Sequence, residues 1–230
     1  MIRPSAVGIA GSTCLLVADL TWLGLVRPPG QELLVVWFAA LAVTGVFLPG
    51  LANQVTMSRA HLAGPALVYS LASARLTELA AVVGLAGLSD LLDGTVARWL
   101  DQRGRLGGAL DPIVDGVFFG AVAVGLALGG LYPTWLALVV VARYAVPAAA
   151  GGILLVAGRR PELHHTPLGQ ASTVVIAFLL GAQALARAVG WGGDVLLAVA
   201  SVAVPLAALG ACANLFWANR ASIIGSGRPG

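Results

Sequence analysis

Lysine is absent from this chain; all 13 basic residues are arginine. Charge of either sign is scarce, at 10 % of 230 residues, whereas soluble domains carry about 25 %. With 59 % of the residues hydrophobic and a mean hydropathy of +0.92, a water-soluble fold could not cover so much apolar surface. A bilayer is the matching solvent, and no nucleic acid is expected among the partners. Cysteine is limited to Cys14 and Cys212, each inside an apolar run. That setting argues against a disulfide, a metal pair or a catalytic thiol, and predicts two small buried hydrophobes. Aromatics are few (7 %), while glycine (30 residues) and alanine abound, as expected where helices approach closely in lipid.

What the chain does have is long apolar runs. A helix needs about 20 mostly apolar residues to cross the hydrocarbon core. Candidate spans are Ala6–Val26, Leu33–Leu51, His61–Ser73, Leu79–Arg98, Ala109–Leu131, Trp135–Ala157, Ala171–Val189 and Val195–Trp217. Turn signals separate several of them: Arg27-Pro28-Pro29-Gly30, Tyr132-Pro133, Arg159-Arg160-Pro161 and Gly190-Trp191-Gly192-Gly193. The third is short unless extended. Asp19 interrupts the first, which leaves a spanning helix, an interfacial helix and a cleaved segment open. The fold class is an all-α polytopic membrane protein with about eight transmembrane helices.

The arginines set the orientation. With the N-terminus in the cytoplasm, Arg3, Arg59, Arg98, Arg103, Arg105, Arg159, Arg160, Arg220 and Arg228 fall inside. Arg27, Arg75 and Arg187 fall outside, nine against three, and Arg143 lies within a span. Both termini and the loop from Trp99 to Leu106 then face the cytoplasm.

Five of the ten acidic residues lie within 26 residues: Asp90, Asp93, Asp101, Asp111 and Asp115. Asp90 and Asp93 are spaced i, i+3, with Gly94 and Ala97 on the same side of the fourth span. Asp111 and Asp115 are spaced i, i+4 on the fifth, with Gly107 one step of four earlier. If the loop between them returns the chain antiparallel, four carboxylates face one another at the membrane surface. An aspartate within a span costs about 2.5–3.5 kcal/mol even on the lenient insertion scale. Arg98, the only arginine inside the motif, cannot neutralise four of them. Protonation of some carboxyls or bound cations can; carboxylate ligands without nearby histidine or cysteine favour Mg²⁺ or Mn²⁺, and one or two ions is the economical answer. Such a centre suits phosphoryl chemistry: it bridges diphosphate oxygens and neutralises the leaving phosphate. A remaining carboxylate oxygen can accept the proton of an attacking hydroxyl.

The motif reads Asp90-x2-Asp93-Gly94-x2-Ala97-Arg98-x8-Gly107-x3-Asp111-x3-Asp115. It resembles the signature of the CDP-alcohol phosphotransferase family at every fixed position. Eight fixed positions coincide by chance on the order of once in 10⁹ starting points, so the pattern is specific. Upstream, Asn53-x2-Thr56-x2-Arg59 resembles the segment that opens the family's first core helix.

The resemblance implies a six-helix core over about residues 53 to 220, with residues 1–52 as an additional hydrophobic hairpin and 221–230 as a short cytoplasmic tail. It implies a phospholipid-synthesis transferase that releases CMP from a CDP-alcohol, with CDP-diacylglycerol as donor. By the same resemblance Asp90, Asp93 and Asp111 would bind metal, and Asp115 would bind metal and serve as general base. Gly94, Ala97 and Gly107 would line the nucleotide site, with Arg98, Asn53 and Thr56 contacting it. A homodimer in the inner or plasma membrane, with its site open to the cytoplasm, is also implied.

Acceptor identity is less legible. Asp111-Pro112-x2-Asp115 looks closer to the branches that use glycerol 3-phosphate or phosphatidylglycerol, with inositol, its phosphate and serine as alternatives. Where many glycerol-3-phosphate enzymes carry a basic residue and a Gly-Lys-x-x-Thr segment, this chain has Gly116 and Gly169-Gln170-Ala171-Ser172-Thr173. Arg143 and Arg159 are candidate acceptor-binding residues; the bland readings are a structural pair for Arg143 and a topological charge for Arg159 and Arg160. Asp101, His164 and His165 read as solvated loop residues. Gly116 and Gly120 read as a helix-packing pair, and Trp191 and Trp217 as interface anchors. Competing classes are an ion transporter, which predicts midplane carboxylates on broken helices, and a non-catalytic scaffold.

Overall fold

The computed structural model describes residues 3–99, 105–156 and 167–224. Within them stand eight α-helices: α1 Ala6–Val26, α2 Gln31–Val46, α3 Leu51–Ser70, α4 Leu76–Trp99, α5 Arg105–Leu128, α6 Thr134–Val156, α7 Pro167–Ala188 and α8 Gly193–Ile224. A 3₁₀ turn, Ser73–Arg75, joins α3 to α4.

Six helices close a ring. α3 packs on α4 and α5, α5 on α6, α6 on α8, α8 on α7, and α7 on α4. The α1–α2 hairpin lies outside this ring and packs on α3. The ring's interior holds Ala66, Leu79, Phe118, Val122, Leu136 and Leu180, each almost wholly buried. Outward surfaces carry the reverse pattern for a soluble protein: Leu25, Leu33, Val36, Val156, Phe178 and Leu209 are exposed. That apolar exterior is a lipid-facing one. Cys14 is exposed and Cys212 partly so, contrary to the expectation of two buried thiols. In a bilayer, lipid supplies the apolar surroundings that a soluble core would, so burial is not required.

Among the described residues five helices are long and apolar enough to span: α1, α5, α6, α7 and α8. α1 is a continuous helix through Asp19, capped by Ser5, whose Oγ accepts the Gly8 N–H at 2.8 Å. It ends at Arg27 in the left-handed region (φ 46°) just before Pro28-Pro29. α2 stops at Val46 rather than Leu51; although Phe47 and Leu48 continue the apolar run, Pro49 cannot supply a backbone N–H and Gly50 adopts a positive φ. Its 16 residues reach about 24 Å.

The largest departure is α3. The apolar run predicted a short span, His61–Ser73, yet the helix begins ten residues earlier and holds 20. The stretch from Asn53 to His61 contains Asn53, Gln54, Thr56, Ser58, Arg59 and His61, which hide it from any hydropathy window. Those polar side chains are tolerated because helices surround α3 on both sides, and Gln54, Thr56, Arg59 and His61 are all buried. Arg59 therefore sits about 12 Å inside a helix, not on a cytoplasmic loop as its topological reading held. Close approach along α3 is bought with glycine: a Cβ at Gly125 of α5 would meet the Cβ of Ser70 at 2.8 Å.

Candidate active site

Three aspartates from two helices meet around one arginine from a third. Arg59 of α3 is 3 % exposed. Its Nη1 donates to Asp90 Oδ1 of α4 and, at 3.0 Å, to Asp115 Oδ1 of α5. Its Nη2 lies 3.6 Å from Asp111 Oδ1, one turn earlier on α5. Thr56, three residues before Arg59 on the same face, places its Oγ1 3.0 Å from Asp111 Oδ1 and 3.2 Å from the Ala52 carbonyl. The helical spacings of the two motifs thus converge: i, i+3 on α3 and i, i+4 on α5 point at one another.

The carboxylates differ in access. Asp115 is 14 % exposed, against 44 % for Asp111 and 62 % for Asp90. Asp115 forms the floor and the other two the open wall. Asp90 stands nine residues before the end of α4, and Asp111 and Asp115 six and ten residues into α5. The cluster is therefore about 10–15 Å from the helix ends that flank residues 100–104.

The antiparallel return predicted four carboxylates facing one another, with Arg98 the only arginine within the motif. The three described ones do come together, and Arg59 of α3 stands among them, since like charges in a medium of low dielectric need a cation between them. Among the described residues no three Asp, Glu, His or Cys side chains form a ready-made metal cage. The donor set nonetheless fits a hard divalent ion. Three carboxylates against one guanidinium leave a formal charge of −2, and two of the three remain half-open. Asp93, Gly94, Ala97, Arg98 and Gly107 lie on α4 and α5, but their side-chain surroundings fall outside what is described. Arg159, Arg160, Asp101, His164 and His165 lie outside the described residues altogether.

Asn53 is on α3 one turn before Thr56, and its Nδ2 donates to the Pro49 carbonyl at 2.5 Å, tying down the start of the helix. Arg143 of α6 turns to the start of α7. Its Nε and Nη2 donate to Ser172 Oγ at 3.0 and 2.8 Å, and Nη2 also to the Gly169 carbonyl at 3.1 Å. Tyr144, the next residue, stacks on Phe119 and is within 3.5 Å of Thr173 Oγ1. The segment Gly169–Thr173, which carries no basic residue, is thus the partner of Arg143. Gly116 packs on Tyr144, whose Cβ an added methyl would meet at 2.7 Å, while Gly120 has only Val141 Cγ2, at 3.8 Å. Trp191 and Trp217 are both exposed.

Arg59 is the residue of the carboxylate cluster that sequence reasoning left out of the candidate site. The signal was present: it completes Asn53-x2-Thr56-x2-Arg59, and its spacing from Thr56 puts both on one helical face. Counting it as a topological charge concealed it.

A ring of membrane helices with an acidic cluster near one end defines a multi-pass membrane protein with a carboxylate-lined site. The family model of the CDP-alcohol phosphatidyltransferases matches residues 50–212, and the chain belongs to that family. Among curated relatives, the cardiolipin synthase (CMP-forming) of Homo sapiens is 38 % identical over 99 residues, 43 % of this chain and 33 % of that protein. That of Streptomyces coelicolor is 36 % identical over 110 residues, 48 % and 51 % of the two chains. That of Rattus norvegicus is 35 % identical over 116 residues, 50 % and 38 %. The chain spans between a third and about half the length of these relatives.

Proposed function

We propose that this protein transfers a phosphatidyl group from CDP-diacylglycerol to the hydroxyl of phosphatidylglycerol, releasing CMP and forming cardiolipin. The observation that carries the reading is the convergence of Asp90, Asp111 and Asp115 at one end of the ring, with Asp115 shielded from solvent and the others open. The acceptor is supported by the curated relatives' names and by charge. Phosphatidylglycerol carries a phosphodiester with a single charge, whereas glycerol 3-phosphate brings a phosphomonoester that calls for more cations. The cation-poor stretch Gly169–Thr173 and Gly116 suit the former.

In this reading Asp90, Asp93, Asp111 and Asp115 hold Mg²⁺ or Mn²⁺, two ions in all, which supply charge neutralisation for the donor diphosphate. Asp115 takes the proton of the acceptor hydroxyl as its oxygen attacks the phosphorus that bears the diacylglycerol. The bond from that phosphorus to the bridging oxygen breaks, and CMP leaves with the electron pair. Thr56 orients Asp111, and Arg59 orients Asp90 and Asp115 while offsetting part of their charge. Gly94, Ala97 and Gly107 leave room for the nucleotide, with Arg98 contacting it. Arg143, whose Nη1 has no partner among the described residues, is the acceptor-phosphate contact. The enzyme acts as a homodimer in the plasma or inner membrane, with the site open to the cytoplasm; the arginine bias supports that orientation.

The test is CMP release by purified protein with Mn²⁺ and CDP-diacylglycerol against separate acceptors, with products identified by mass. Cardiolipin formed from phosphatidylglycerol is the expected result. Turnover only with glycerol 3-phosphate, inositol, its phosphate or serine refutes the acceptor, and no CMP release with any of them refutes the reaction.

A further inference from the structure

Residues 3–49 lie outside the family match, yet they reach the helix that carries Arg59. Asp19 of α1 and His61 of α3 form a hydrogen-bonded pair, Oδ2 to Nδ1 at 2.5 Å. Both are buried, at 7 % and 3 % exposure, in a part of the molecule that lipid surrounds. Phe38 of α2 is fully buried and stacks on the His61 ring, centroids 6.1 Å apart and planes within 3°. It fits because Gly64 has no side chain; a Cβ there would lie 2.8 Å from Phe38 Cζ. Above and below, Trp22 Nε1 donates to Tyr69 Oη at 2.7 Å, and Gln54 Nε2 donates to the Gly45 and Leu48 carbonyls at 2.9 and 3.0 Å.

Gln54, His61 and Tyr69 make a seam at intervals of seven and eight on one side of α3. Thr56 and Arg59 stand about 200° away around the helix, two residues from Gln54 and His61. One rigid helix therefore presents a hairpin-facing seam and a carboxylate-facing pair. Any rotation or sliding at the first displaces the second.

We propose that Asp19 is a positioning residue for Arg59: by holding His61 it sets the rotation and depth of α3, and so where the guanidinium meets Asp90, Asp111 and Asp115. The hairpin is on this account part of the site's scaffold. The idea rests on the cluster's being a cation site only for its first readout.

The experiment uses the full chain in lipid nanodiscs, with free Mn²⁺ followed by electron paramagnetic resonance. Arg59 competes with a cation for the carboxylates, so Arg59→Gln tightens Mn²⁺ binding, by about tenfold. Asp19→Leu is expected to tighten it to a similar extent, and the Asp19→Leu/Arg59→Gln double variant no further than Arg59→Gln alone. Affinity unchanged in Asp19→Leu, or single effects that multiply in the double variant, overturns the proposal. A purely structural role would lower the melting midpoint without that non-additivity. If Asp19→Leu does not fold, Asp19→Asn, which keeps an acceptor for His61, must show a smaller tightening in the same direction; no change overturns the proposal. If the wild type binds no Mn²⁺, the metal reading fails and disulfide trapping decides. Ala60 of α3 and Val114 of α5 share one buried cluster. Trapping of an Ala60→Cys/Val114→Cys pair that slows in the Asp19 variant supports the inference, and an equal rate overturns it.

Discussion

Arg59 and Asp115 are joined Nη1 to Oδ1 across 3.0 Å, a nearly inaccessible guanidinium against the most shielded of the three described carboxylates. The contact joins α3 to α5 and leaves Asp115 as an oriented acceptor. Orientation is what a general base requires before its basicity matters.

Asp115→Asn is therefore expected to lower CMP release by about 10²–10⁴-fold, the usual worth of a positioned base. The amide keeps the shape and hydrogen-bonding oxygen, so the melting midpoint should change little. Full turnover in the variant would remove Asp115 from the chemistry.

Arg59→Gln should be costly without metal. Removing one partner of a buried charge cluster leaves the others uncompensated, a loss of about 3 kcal/mol. A divalent ion can stand in for the missing cation, so added Mn²⁺ should raise the melting midpoint more in the variant than in the wild type. Equal Mn²⁺ shifts in the two proteins would contradict the counter-ion role.

Arg143→Leu removes the bonds to Ser172 and Gly169 and, with them, the rest of the guanidinium. The expected outcome is a KM for the anionic acceptor raised about tenfold, equivalent to 1.4 kcal/mol, with the donor KM unaltered. A change in kcat alone, or in both KM values equally, would assign Arg143 to packing between α6 and α7.

Gly125→Ala and Gly120→Ala separate packing from mere helix propensity. A methyl at position 125 would enter Ser70, whose Cβ is 2.8 Å away, and approach the Leu67 carbonyl at 3.1 Å. At position 120 the nearest atom is 3.8 Å away. The first should destabilise by about 1–3 kcal/mol, as overpacking does. The second should be neutral or slightly stabilising, since alanine favours a helix over glycine. Thermal melting in micelles compares them; equal effects would mean that α3 and α5 are farther apart than described.

Much of this architecture was legible in the residues. Apolar runs located α4 to α8 to within a few residues at most ends, because lipid-facing helices must be apolar along their whole exposed length. Of these, α8 overshot its run furthest, continuing to Ile224, and Arg220 within that extension sits over the Trp217 ring at 4.2 Å. The acidic motif, with its helical spacing, pointed to the candidate site where Asp90, Asp111 and Asp115 of α4 and α5 converge. α3 escaped the same logic. Its environment is protein on both sides, so its polar residues face partners rather than lipid, and no window along the chain can know that. Asp19, which interrupts the first apolar run, lies 42 residues from His61 in the chain; in the fold the two are partners.

The chain's order of residues determined that this is a helical membrane protein and which aspartates share a helical face, since both follow from hydropathy, length and periodicity within one segment; the family shows in the fixed pattern of motif residues instead. Only the tertiary structure decided which cation gathers those aspartates and what holds that cation in place. Both answers come from contacts between helices, where burial makes a charge depend on whatever packing brings within a few ångströms.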